Sequence, residues 1–251
     1  MRDDNELAAE PKTPGDLVTA ADRKVQERLG TLLQAQLPGI GIIAEEEGGM
    51  IKGKGNHFAL LDPIDGTIGF AAGQRHWGVL LGLYTKKGPD YGFAFEPGES
   101  SMFQGGRQYG ILKNNEHFDI PPCETELVLV GTGRLGVDTE RWLAILEKLA
   151  KRSIYTRNFG ATISHILSVA QGQARAYITP ADAAWDLAAL HAIFFGKLTF
   201  EIFALDADNK PIDGPVDFTT ASQEQRYAAV VARPEDIEKY LSIMKEVLDL
   251  Q

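Results

Sequence analysis

From residue 127 to the C-terminus, short apolar runs alternate with stretches of helical length, and this alternation constrains the fold more than any other feature. Residues 127–131, 153–157, 174–178, 199–204 and 227–232 read as strands. Residues 139–151, 162–171, 182–195 and 234–250 read as helices, the first with Trp142, Ile145, Leu146 and Leu149 at helical spacing. Such alternation predicts layered α/β structure. The preceding part reads differently. A helix over 17–37, capped by Asp16 or Thr19 and ended by Pro38-Gly39, leads into strands at 40–44, 57–61, 77–84, 91–96, 101–104 and 109–113. That pattern predicts a helix followed by a mostly antiparallel sheet. The chain therefore divides into an N-terminal α+β half (1–122) and a C-terminal α/β half (123–251), joined without a flexible linker into one compact unit.

With 251 residues the chain is long enough to bury a substantial core. Lys and Arg total 25 against 35 Asp and Glu, a formal charge of −10. An acidic surface repels polyanions, so no nucleic-acid partner is expected. An anionic substrate stays open, because bound cations invert the field at a site. Cys123 is the single cysteine, so no intrachain disulfide forms. The first residues lack a signal-peptide core, and no run reaches the roughly 18 apolar residues of a membrane span. These features predict a soluble cytoplasmic protein without a membrane partner.

Asp62-Pro63-Ile64-Asp65-Gly66-Thr67 follows an apolar strand. Two carboxylates three residues apart in a tight turn can converge on one point, and hard cations such as Mg²⁺ take oxygen ligands of this kind. A helix turn starting there would present the Gly66 and Thr67 amides to a phosphate. Alone, the segment serves equally well as a type I turn. Glu45-Glu46-Glu47 ends another strand and alone reads as a solvated charge run. Asp186 in Trp185-Asp186-Leu187-Ala188-Ala189 and Asp22 in Asp16-Leu17-Val18-Thr19-Ala20-Ala21-Asp22 alone read as acids favoured at helix N-termini. His76, His165 and His191 read as rim or packing residues, and Cys123 as inert.

Taken in chain order, the four segments resemble the inositol monophosphatase family of metal-dependent phosphatases. They are similar to its Asp-Leu-Val-Thr-x-x-Asp element, its Gly-Glu-Glu element (Ala44 in place of the glycine), its Asp-Pro-Ile-Asp-Gly-Thr motif without change, and its Trp-Asp-x-Ala-Ala element. The similarity spans about residues 12–195. It implies a layered αβαβα sandwich of the sugar-phosphatase type, an N-terminal half with most of the metal ligands, and a homodimer. It also implies two or three Mg²⁺ ions. Glu45, Asp62 and the Ile64 carbonyl would hold one, Asp62, Asp65 and Asp186 a second, and Glu45 would contribute to a third. Thr67 and Asp22 would orient and deprotonate the attacking water, with Glu46 beside them in the catalytic set. The register among Glu45, Glu46 and Glu47 is open by one place. The expected substrate-binding residues are Gly66, Thr67, Asp186, Arg175 and Asp182.

The sequence also departs from the family. Few residues precede Asp16, so a family helix is shortened or absent there. Lys12 is one place from the lysine often found near the outer metal. Thr179 replaces a glutamate frequent in enzymes of inositol phosphates, and Arg175 replaces an aspartate. The expected activity is Mg²⁺-dependent hydrolysis of a small phosphorylated metabolite, an inositol, polyol or sugar phosphate. Histidinol phosphate and sugar bisphosphates are alternative substrates. A catalytically weak member acting as a regulatory binding partner is the alternative of another class.

Overall fold

The computed structural model describes residues 9–13 and 16–250. The described residues begin with the antiparallel pair β1 (Ala9–Thr13) and β2 (Asp16–Thr19), followed by α1 (Ala20–Gln36). The predicted helix thus begins three residues late, because Asp16–Thr19 pairs as a strand. Thr19 is the cap: its Oγ1 accepts from the amides of Ala21 and Asp22, and its own amide donates to the Asp22 carboxylate at 2.8 Å. This reciprocal capping box fixes where α1 starts and which way Asp22 points. The side chain of Lys12 lies outside the described residues.

A seven-stranded sheet comes next. Its strands are β3 (Gly41–Ala44), β4 (His57–Asp65), β5 (Gly78–Thr85), β6 (Gly88–Glu96), β7 (Ser101–Gly106), β8 (Gly110–Lys113) and β9 (Glu116–His117), in that order across the sheet. Only β3 and β4 run parallel. Between β4 and β5 lies the short α2 (Thr67–Ala71). β4 outlasts its predicted end by four residues, and its register against β5 shifts between Asp62 and Asp65. Pro63 sits in that irregularity, where a missing N–H breaks no ladder bond.

The C-terminal half contributes β10 (Val128–Val130), α3 (Thr139–Lys151), β11 (Thr156–Arg157), α4 (Thr162–Ala170), β12 (Ala176–Asp182), α5 (Ala184–Ile193), β13 (Thr199–Leu205), β14 (Arg226–Ala232) and α6 (Ile237–Val247). Its strands form a second sheet in the order β11-β10-β12-β14-β13. β12 takes in Asp182, which the sequence pattern assigns to the next helix.

The apolar clusters define the layers. Leu33 of α1 packs on Ile42, Ala59 and Leu61 on the outer face of the first sheet. Leu60, Leu80 and Phe103 from its inner face join α4, α5 and Leu129, Tyr177 and Val231 of the second sheet in one large core. Ile145 and Leu149 of α3 and Tyr240 and Met244 of α6 cover the far face of the second sheet. The architecture is an αβαβα sandwich. α5 is apolar on nearly all sides, as a helix between two sheets must be. Gly92 lets it approach: a methyl group there would meet the Ala189 carbonyl. No helix among the described residues is long and apolar enough to cross a membrane.

Candidate active site

Four element ends meet on one side of the central layer. The parallel register sets Ala44 opposite Leu61, so Glu45 and Asp62 leave neighbouring strands side by side. The Glu45 amide donates to the Leu61 carbonyl at 3.3 Å. Asp65 closes β4, and Gly66 follows with φ 85°, a left-handed conformation that favours glycine. A Cβ at Gly66 would also stand 2.7 Å from that of Ala161. This turn starts α2 at Thr67 and leaves its first amides without helical acceptors.

Thr67 and Asp22 form a buried pair. Thr67 Oγ1 lies 3.2 Å from Asp22 Oδ1 and 2.9 Å from the Ile64 carbonyl, and its single proton serves one or the other. Asp22 Oδ2 is held by the Thr19 amide at 2.8 Å and the Thr19 hydroxyl at 2.5 Å. Asp22 is therefore an oriented acceptor with one oxygen facing Thr67.

Asp65 faces the other half of the molecule. It accepts from the amides of Thr162, at 3.1 Å, and of Ile163, at the N-terminus of α4. Burial pushes its carboxyl up to about 7, against the pull of those two amides. Asp62 is 2% exposed, and its Oδ1 has no hydrogen-bond partner. Burial, then the charges of Glu45, Asp65 and Asp186, holds it well above the usual carboxylate range. Asp186 caps α5 by accepting from the Ala183 amide at 2.8 Å. Burial of its carboxyl, followed by the charges of Asp182 and Asp65, pushes it well up too. These carboxyl groups cannot all ionise together without cations.

Glu45 is the glutamate whose charge acts on Asp62 and Asp65. Glu46 follows it in the turn after β3. It is buried on the α1 side, in a cavity of about 570 Å³ shared with Arg23 and Gln26, and its amide donates to Gln26 Oε1 at 2.8 Å. Its main chain, bonded to Gln26 of α1, forms part of the turn after β3. Glu47 is exposed.

One expected substrate contact, Arg175, is corrected. Arg175 precedes β12 and bonds the Thr125 carbonyl and Asp236. The site lies at the opposite end of that strand, roughly 20 Å away at about 3.3 Å per residue. Asp182 is at the correct end but is buried, accepting from the hydroxyls of Tyr177 and Thr179 at 2.8 Å each and of Thr162 at 3.1 Å. It backs the site from behind Asp186. Burial raises its carboxyl against these three hydroxyls. His165 is stacked between Phe159 and Tyr177, accepts the Phe159 amide at Nε2, and is lowered to about 3 by burial, so it is a neutral packing residue.

Among the described residues, no three His, Cys, Asp or Glu side chains stand as a ready-made metal cage. The donor set nevertheless suits a hard cation. It is all oxygen, and it contains one buried carboxylate oxygen with no partner. Sequence reasoning did not find Thr162, whose amide and hydroxyl serve Asp65 and Asp182, nor Gln26 and Gln223, which grip the turn after β3. Gln26 and Gln223 belong to no short motif.

Residues 2–195 match the model of the inositol monophosphatase family. The chain is 29% identical to inositol-1-monophosphatase of Bacillus subtilis over 189 residues, 73% of this chain and 71% of that one. It is 30% identical to inositol monophosphatase 1 of Bos taurus over 187 residues, 70% and 67% of the two chains. It is also 26% identical to a putative Nus factor SuhB of Neisseria meningitidis, over 73% and 72%. Its fold resembles the extragenic suppressor protein SuhB of Bartonella henselae, with a TM-score of 0.76 at 21% identity over 95% and 88% of the chains. It also resembles an IMPase/NADP phosphatase complexed with Mg²⁺ and phosphate, with a TM-score of 0.71 at 21% identity over 94% and 85%. Fold and site together define a phosphoric monoester hydrolase. The chain belongs to the inositol monophosphatase family.

Proposed function

We propose that this protein hydrolyses a small phosphate monoester, of the inositol, polyol or sugar phosphate class, with two or three Mg²⁺ ions. The observation that carries this reading is the buried, unpartnered Asp62 Oδ1 amid the carboxyl groups of Glu45, Asp65 and Asp186. Glu45, Asp62, the Ile64 carbonyl, Asp65 and Asp186 are the residues that would hold the ions. Bound divalent ions supply charge neutralisation and acidify coordinated water.

The chain's own groups do the rest. Thr67 Oγ1 can accept a proton from the attacking water while passing its own to Asp22 Oδ1, 3.2 Å away. Thr19 holds Asp22 in place through two donors. The Gly66 and Thr67 amides stand at the start of α2, where phosphate oxygens would be received. Phosphoryl transfer depends mainly on such positioning. Asp186 and Glu45 are the half-buried members of the cluster, whereas Asp62 and Asp65 are buried.

The test is a panel of phosphomonoesters assayed with Mg²⁺ and with EDTA, including histidinol phosphate and sugar bisphosphates. Magnesium-dependent phosphate release from one class is the expected result. Equal rates in EDTA would overturn the metal reading. Relatives named Nus factors motivate the regulatory alternative. A folded protein that binds no Mg²⁺ and hydrolyses nothing on the panel would favour it. The homodimer that the resemblance implies is measured by light scattering.

A further inference from the structure

Glu45 leaves the end of β3 in an irregular turn, so its direction depends on what holds the backbone of residues 44–46. Two glutamines do so from different elements. Gln26 of α1 pairs with the Glu46 main chain, donating to its carbonyl at 3.2 Å and accepting from its amide at 2.8 Å. Gln223 arrives from the other half of the molecule, just before β14. Its side-chain nitrogen lies 3.1 Å from the Ala44 carbonyl, 3.0 Å from that of Glu45 and 3.1 Å from that of Glu46. Three carbonyls thus share two amide protons, and Gln223 reaches the two carbonyls that Gln26 does not.

The segment bearing Gln223 is itself braced. Arg226 Nη1 donates to the carbonyls of Gln223, at 2.7 Å, and Gln225, at 3.0 Å. The Gln225 amide closes a turn onto the Ser222 carbonyl at 3.2 Å, and its side chain donates to the Leu205 carbonyl. Tyr227, which follows Arg226, pairs with Asp182 at the end of β12. One short stretch therefore spans from the back of the site to the Glu45 turn, and it lies beyond the residues that match the family model.

We propose that Gln223 is a positioning residue: by clamping the Ala44–Glu46 carbonyls it aims the Glu45 carboxylate and tunes the affinity of the site for a divalent cation. This rests on the reading of Glu45 as a metal ligand. Outer partners of ligands typically change metal affinity by about 10–100-fold when removed. Calorimetric titration of the full chain with Mg²⁺ tests it, using wild type, Gln223→Ala, Gln223→Met and Glu45→Gln, with circular dichroism as the folding control. Gln223→Met keeps the length of the side chain without its donors, and so covers a failure of the alanine variant to fold.

Either variant should weaken Mg²⁺ binding by about 10–100-fold and raise the Mg²⁺ needed for half-maximal activity in step. kcat at saturating Mg²⁺ should stay within about twofold, because the reacting groups are untouched. In the Glu45→Gln background, Gln223→Met should have no further effect, since both act through one ligand. Wild-type binding with unchanged affinity in a folded Gln223→Met protein overturns the clamp alone. Absence of Mg²⁺ binding to the wild type overturns the underlying metal reading as well.

Discussion

Asp65 accepts two backbone amides of α4 yet stands among other carboxyl groups. Replacing it with asparagine removes the charge but keeps the size. Asp65→Asn should lower kcat by about 10³-fold or more, in line with losing a charge that stabilises the transition state, while circular dichroism stays native. Full turnover in that variant would refute its role. Thr67 is tested by its hydroxyl. Thr67→Ala should cost about 10²–10⁴-fold in kcat, the usual range for a positioned proton-transfer group, and Thr67→Ser should recover much of it. Equal rates in the two variants would leave the Thr67–Asp22 pair without a role in proton transfer. Both residues are visible in a motif that also makes a good turn. What the motif could not show is the direction of each carboxylate, which comes from partners such as Thr162, 97 residues from Asp65.

At the scale of elements, caps and close approaches carry the site. The capping box of α1 stabilises a helix, and its Thr19 amide, together with the Thr19 hydroxyl, also aims Asp22. Thr19→Ala should therefore destabilise the fold by about 1 kcal/mol and also reduce kcat, whereas Thr19→Ser should do neither. Denaturant unfolding and steady-state rates measured together separate these effects. A stability loss with kcat unchanged would deny Thr19 its part in orienting Asp22. Gly92 belongs to the same scale, because β6 meets the backbone of α5 there. Gly92→Ala should cost about 1–3 kcal/mol as an overpacking change, read as a lower midpoint in urea. Apolar spacing shows that α5 is a helix and that it is buried. It does not show which strand residue must be a glycine to admit it.

For the whole molecule, the acidic cluster couples stability to pH and metal. Asp65 titrates near 7 in the fold, and Asp62 and Asp186 lie well above their ordinary values. Unfolded carboxyls titrate near 4. Between about pH 4 and 7 these three carboxyls hold more protons in the native state than in the unfolded one, outweighing the opposite effect of the two buried histidines His165 and His191, so stability falls as pH rises through that window. The metal-free protein should melt lower at pH 8 than at pH 5. Mg²⁺ should reverse much of that loss, by about 2.7 kcal/mol at a hundred times its Kd. Scanning calorimetry in EDTA and in Mg²⁺ across this range checks both signs. Melting that rises with pH in EDTA would contradict the crowded-carboxylate picture.

The layered architecture and the identities of Asp22, Asp62, Asp65, Thr67 and Asp186 are legible in the sequence, because periodicity and local turn chemistry act over a few neighbouring residues. Contacts between distant segments are not legible. The proposed glutamate register rests on the pairing of β3 with β4, which sets Glu45 beside Asp62, while the Glu46 amide bonds Gln26 of α1. Arg175 and Asp182 looked alike as polar residues around one strand, but only the length and burial of β12 separate an arginine at its far end from a carboxylate behind the site. The clamp at Gln223 has no sequence signature at all. A hydrogen bond between residues 178 apart leaves no trace in local spacing, so tertiary packing alone decides it.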